Sequence, residues 1–142
     1  MNEMNAILQP MAAMMLLTFV VWLRLYFTRV MGMQKARIHP QKAATRAQMA
    51  GVQISDKATQ NSDHFQNLFE VPVLFYALCL GIAVTGMADT LFVVFAWAFV
   101  ALRVVHAIIH LTYNKVMHRF LSFVIGTSIL FLMVFRFAWQ LT

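Results

Sequence analysis

Apolar residues in this chain neither alternate nor keep to one helical face; they fill four long runs separated by polar connections. The runs cover about residues 7–30, 65–85, 90–112 and 120–141. Each is long enough for a helix to cross the ~30 Å hydrocarbon core of a bilayer, which takes roughly 20 apolar residues. A backbone in lipid must satisfy its own hydrogen bonds, so such runs predict helices. The connection from Thr85 to Thr90 contains Gly86 and is short enough to be a tight turn between antiparallel spans. The expected fold is therefore all-α. Residues 1–142 make a single domain, a four-helix transmembrane bundle running up-down-up-down.

Composition removes the soluble alternative. The chain has 142 residues, of which 61% are hydrophobic and 11% charged; a soluble domain is about a quarter charged. The lead MNEMNAILQP has no Lys or Arg, so the first run reads as a mature helix and not as a signal peptide. The net charge of +6 matters mainly through its placement. Lys35, Arg37, Lys42, Arg46 and Lys57 lie between runs one and two, and Lys115 and Arg119 between three and four. The positive-inside rule puts those connections in the cytoplasm and both termini on the other side. The loop over 31–64 is the only long one, with helix-forming residues in QKAATRAQMAGVQ interrupted by Pro40 and Gly51. Its basic groups suit anionic lipid headgroups. No nucleic-acid-reading motif is present, so no such partner is expected. Cys79 stands alone within the second run, which excludes a disulfide within the chain.

Ionisable groups inside spans are costly and mark functional sites by default. Arg103, His106 and His110 are spaced i, i+3, i+7 and form one stripe on the third span. Asp63, Asn67, Glu70 and Leu74 repeat at i, i+4, i+7, i+11 and form another on the second. At 1.5 Å per residue, Glu70 and His106 both lie about 10 Å below the cytoplasmic ends of their spans, with Arg103 deeper. An ion pair between Glu70 and Arg103 is the expected partner of the buried carboxylate. Arg24, near the end of the first span, is expected to reach the interface. His106 and His110 are at metal-ligand spacing, but Glu70 alone would have to complete the set, so no metal is expected.

The segments HFQNLFEVPVLFY and LRVVHAIIHLTYNKVMHRF together resemble the MAPEG family, the membrane-associated proteins of eicosanoid and glutathione metabolism. The matching positions are Asn67, Glu70 and Pro72 in span two, Arg103 and His106 in span three, and Arg119 opening span four. The resemblance extends over the whole four-span layout and suggests a bacterial member. It implies a homotrimer that binds glutathione in a cytoplasm-facing cleft between subunits of a bacterial inner membrane. It also implies activation of the glutathione thiol for transfer to lipophilic electrophiles or reduction of hydroperoxides.

Glutathione carries two carboxylates and an ammonium, so its site needs cations and an anion. Arg37 and Arg103 are candidate cations, Glu70 the anion, and Asn67, His106 and His110 further binding groups. Arg119 is the candidate catalytic residue, because an adjacent guanidinium lowers a thiol's pKa and raises its thiolate fraction. His110 stands where family enzymes often have tyrosine, and Phe120 where some have serine. Binding of glutathione or lipid without turnover is the main alternative. A small proton-coupled exporter built on Glu70 is the other, and the fixed cation of Arg103 argues against it.

Overall fold

A computed structural model describes residues 3–39, 41 and 56–142. Except for Gln41, the expected helical stretch QKAATRAQMAGVQ, with Pro40 and Gly51, lies outside the described residues. Five helices follow in order: α1 (Glu3–Lys35), α2 (Asp56–Asn67), α3 (Val71–Thr85), α4 (Thr90–Leu111) and α5 (Val116–Gln140). α2 and α3 together form one membrane-crossing segment, Asp56–Thr85, so the described chain has four candidate spans. It is an integral membrane four-helix bundle.

The second span begins before residue 65 and is broken in the middle. Pro72 lies in the first turn of α3. It has no N–H to give the Leu68 carbonyl, and its ring would collide with that carbonyl in a continuous helix. The backbone instead tightens into i to i+3 bonds: Phe69 N–H donates to Gln66 O at 2.9 Å and Glu70 N–H to Asn67 O at 3.4 Å. Glu70 becomes the residue before the new helix, with φ −98° and ψ −99°. Its place in the Asp63–Asn67 stripe is lost with that change of direction.

Short connections turn the chain back after α3 and after α4, and α4 packs most closely against α5. α3 ends at Gly86, whose φ of 71° is the left-handed conformation that spares glycine a Cβ clash. Its N–H donates to Ala83 O, and that of Met87 to Ile82 O. Asp89 then caps α4, accepting from Phe92 N–H at 2.9 Å. The same carboxylate is bound by Arg136 of α5, with Nη1 3.0 Å from Oδ1. The Arg136 guanidinium also covers the Phe92 ring, 4.1 Å from its centroid.

The core runs along the inner faces. Ile7, Met14 and Val21, two turns apart on α1, meet Phe75, Cys79 and Ile82 of α3 and Phe92, Ala96 and Phe99 of α4. Phe75 and Phe99 stack with centroids 4.6 Å apart. Outward positions are also large and apolar, among them Leu16, Phe19, Val84, Val94 and Leu132. A protein in water would bury such faces, whereas lipid needs no polar cover. Polar ties to neighbouring segments help fix α1. Asn61 Nδ2 donates to Thr28 Oγ1 at 2.8 Å, and Arg24 Nη2 donates to Leu111 O at 2.6 Å. The second closes an open carbonyl at the α4 C-terminus, where a cation is favoured.

The Asp89 carboxyl is held below the usual carboxylate range, first by its hydrogen bonds from Arg136 and then by the Phe92 N–H and the Arg136 charge. Its stabilising contribution is complete above the unfolded value of about 3.9 and is lost as pH falls through the lower folded value. Asp89→Asn should keep the cap but lose the ion pair, costing at most about 1 kcal/mol because the pair is partly exposed. Asp89→Ala should lose a further ~1 kcal/mol with the cap. Thermal unfolding in detergent tests this: the gap between wild type and Asp89→Asn should shrink below about pH 4.

Candidate functional site

The site forms where α2, α4 and the start of α5 meet. His106 and His110 are one turn apart on the inner face of α4, and each is 2% exposed. His64 of α2 lies against both and is fully buried. The His64 ring is 5.0 Å from that of His110, edge-on, and 5.6 Å from that of His106, nearly parallel. His64 Nδ1 and His110 Nδ1 are 3.2 Å apart.

Arg119, in the first turn of α5, locks this cluster from two sides. Its Nη1 lies 3.0 Å from His110 Nε2 and 3.0 Å from Asn114 Oδ1. Its carbonyl lies 3.1 Å from His106 Nδ1 and accepts from Ser122 Oγ at 2.9 Å. A guanidinium only donates and a carbonyl only accepts, so the network assigns the tautomers of neutral rings. His110 takes its bond from Arg119 at Nε2 and donates through Nδ1 to His64 Nδ1. His106 donates through Nδ1 to the Arg119 carbonyl, which leaves Nε2 a bare lone pair. His64 Nε2 and His106 Nε2 are both buried with no hydrogen-bond partner among the described residues.

Beside the cluster opens a cavity of about 350 Å³. Asp63, Asn67, His106, His110 and Arg119 are its polar lining, and Val116, Phe120 and Phe123 its apolar lining. One turn deeper, Arg103 is 2% exposed, its guanidinium carbon 5.2 Å from the Phe99 ring centroid and 5.0 Å from that of Phe123. All three of its nitrogens lack a hydrogen-bond partner among the described residues. The two rings offset part of the cost of a buried cation, but its hydrogen-bonding capacity is unused.

Of the residues expected from sequence, Asn67, His106, His110 and Arg119 thus line one cavity, with Arg103 buried nearby. Glu70 and Arg37 do not line it. Glu70 is exposed, and the expected ion pair with Arg103 is not formed within the chain. The Pro72 break explains this, since it turns Glu70 out of the phase of Asn67. Glu70 is nevertheless the acidic group whose charge acts on Arg103. Arg37 lies just past α1 with φ 51° and is exposed. An exporter needs a carboxylate facing the bundle interior, and the exposed Glu70 gives that reading no support. His64 is a residue of this cluster that the candidates read from the sequence do not include. Ala58, Asn61 and His64, three apart and all buried, form the inner stripe of α2 and carry the signal.

A sequence profile of the MAPEG family matches residues 7–139, so the chain belongs to that family. No curated protein and no solved structure matches it significantly.

Asn114 holds Arg119 from a strained turn, with φ 47°. Asn114→Gly should relax the turn, whereas Asn114→Ala should be less stable than the glycine variant by about 1 kcal/mol. Both should loosen Arg119. Unfolding of the two variants in detergent, compared side by side, checks the order.

Proposed function

From its membership of the MAPEG family, we propose that this protein is a membrane-bound glutathione-dependent transferase or peroxidase. It activates the glutathione thiol toward lipophilic electrophiles or hydroperoxides. One observation carries the reading: the same cavity is lined by cationic, carboxylate and imidazole groups and by aromatic side chains. A tripeptide with two carboxylates and an ammonium matches the polar lining, through Arg119, Asp63 and Asn67. A lipid-soluble second substrate matches the apolar lining, of which Phe120 is 60% exposed. Arg119 stabilises the thiolate as a neighbouring cation does. Its Nη1 is already engaged, so the thiolate meets the remaining edge of the guanidinium or displaces His110. Arg103 supplies an unused cation for a carboxylate just beyond the cavity.

The assembly is a homotrimer in which Glu70 is covered by a neighbouring subunit. A carboxylate exposed on an apolar, membrane-level surface is costly in lipid, and an adjoining copy relieves that cost. Lys35, Arg37, Lys115 and Arg119 share the cavity's end of the bundle, which supports a cytoplasmic mouth by the positive-inside rule. A compact chain of this kind suits a bacterial inner membrane.

The engagement of Arg119 by His110 and Asn114 favours a second reading, binding of glutathione or lipid without turnover. Calorimetric titration with glutathione, with ultraviolet detection of bound thiolate, separates the two. Catalysis requires saturable binding with a thiolate signal that Arg119→Ala abolishes at neutral pH. Binding without thiolate establishes the second reading for glutathione, and absence of glutathione binding by folded protein overturns the glutathione form of both.

A further inference from the structure

The histidine pair of α4 lacks a third metal ligand on its own helix, and the fold supplies it from α2. One ring nitrogen from each of His64, His106 and His110 lies within 4.8 Å of the others, and all three residues are buried. We propose that these three histidines form a binding site for a divalent first-row transition metal, zinc by ligand type, with a fourth position open to the adjoining cavity.

Three features point to an ion and not merely to packed imidazoles. Tetrahedral zinc at 2.0–2.1 Å from each nitrogen sets its ligand atoms about 3.4 Å apart. His64 Nδ1 and His110 Nδ1 are already at 3.2 Å. Only the third nitrogen must close in, by ring rotation. Next, His106 has the arrangement expected of a metal ligand. Its Nδ1–H is held by a backbone carbonyl, while its bare Nε2 has no partner. Finally, the unpaired His106 Nε2 is a buried lone pair that an ion can satisfy, whereas His64 Nε2 carries its ring's proton when Nδ1 accepts. A native structure seldom tolerates such groups without a water or an ion to satisfy them.

Arg103 and Arg119 set the chemistry of the fourth ligand. Their charges act on His64 and oppose a bare dication, so the metal is held together with an anion, hydroxide or thiolate. Water or a thiol entering the fourth position loses its proton to solvent through the cavity mouth as the metal–oxygen or metal–sulfur bond forms. His106 and His110 line that cavity, so the position is reachable from it. Metal at His110 Nδ1 moves that ring's proton to Nε2. Arg119 Nη1 must then leave His110, but it keeps Asn114 Oδ1. The site does not depend on glutathione being the substrate.

The test uses full-length protein in detergent, stripped with a chelator and titrated with Co²⁺ as a spectroscopic stand-in and with Zn²⁺ by calorimetry. One equivalent per chain with intense, tetrahedral-type visible absorption is expected. His64→Gln should weaken binding at least about ten-fold, on the scale of losses seen even for residues that only support ligands. His106→Gln is the second variant should the first fail to fold. His118→Gln should bind as wild type, because that ring lies outside the cluster, beside Tyr113. No stoichiometric binding, a weak octahedral cobalt spectrum, or equal binding by folded His64→Gln would overturn the proposal. Glutathione titration of the same preparations reports separately on the thiol site.

Discussion

A single missing amide hydrogen, at Pro72, governs how this bundle arranges its polar groups. Because Pro72 can neither donate to Leu68 nor sit beside its carbonyl, the second span cannot be one helix. The break divides its polar residues into two sets. Upstream, α2 keeps His64 and Asn61 against the bundle and Asn67 at the cavity. Downstream, α3 starts afresh with an almost wholly apolar sequence, and Glu70 is left exposed at the joint. The histidine-rich polar groups therefore gather at one end, with the Asp89–Arg136 pair at the other and aromatic and aliphatic packing between.

Within that end, the hydrogen-bond network works through one residue. Arg119 offers its guanidinium to His110 and Asn114 and its carbonyl to His106 and Ser122. The short connection from α4 to α5 brings these groups within reach, and the left-handed Asn114 lets it turn. A substitution at Arg119 would thus disturb both imidazoles of α4 as well as the cavity. Such buried networks are stiff when complete and costly when partly satisfied. Unsatisfied groups here, among the described residues, include the two histidine Nε2 atoms, the Arg103 guanidinium and Asn61 Oδ1. They are the places where a ligand, an ion or a second subunit would gain most.

The opposite end is built more simply. Asp89 caps α4 and binds Arg136, whose guanidinium in turn covers Phe92. This arrangement fixes the α3–α4 turn to α5. Its chemistry is stabilising, whereas that of the histidine end is receptive.

The four spans, their all-helical character and the cluster of Arg103, His106, His110, Asn67 and Arg119 were legible in the sequence. Apolar run length is dictated by bilayer thickness, and residues three or four apart on one helix share a face whatever surrounds it. The motifs were sufficient for membership of the MAPEG family as well. What the pattern could not give was the relation between helices. Phase counting assumed an unbroken second span, so it paired Glu70 with Arg103 and did not bring in His64. Only the tertiary structure set His64 between His106 and His110. The rotation of one helix about its axis, and the phase lost at a break, depend on packing between distant segments, which spacing along a chain does not encode.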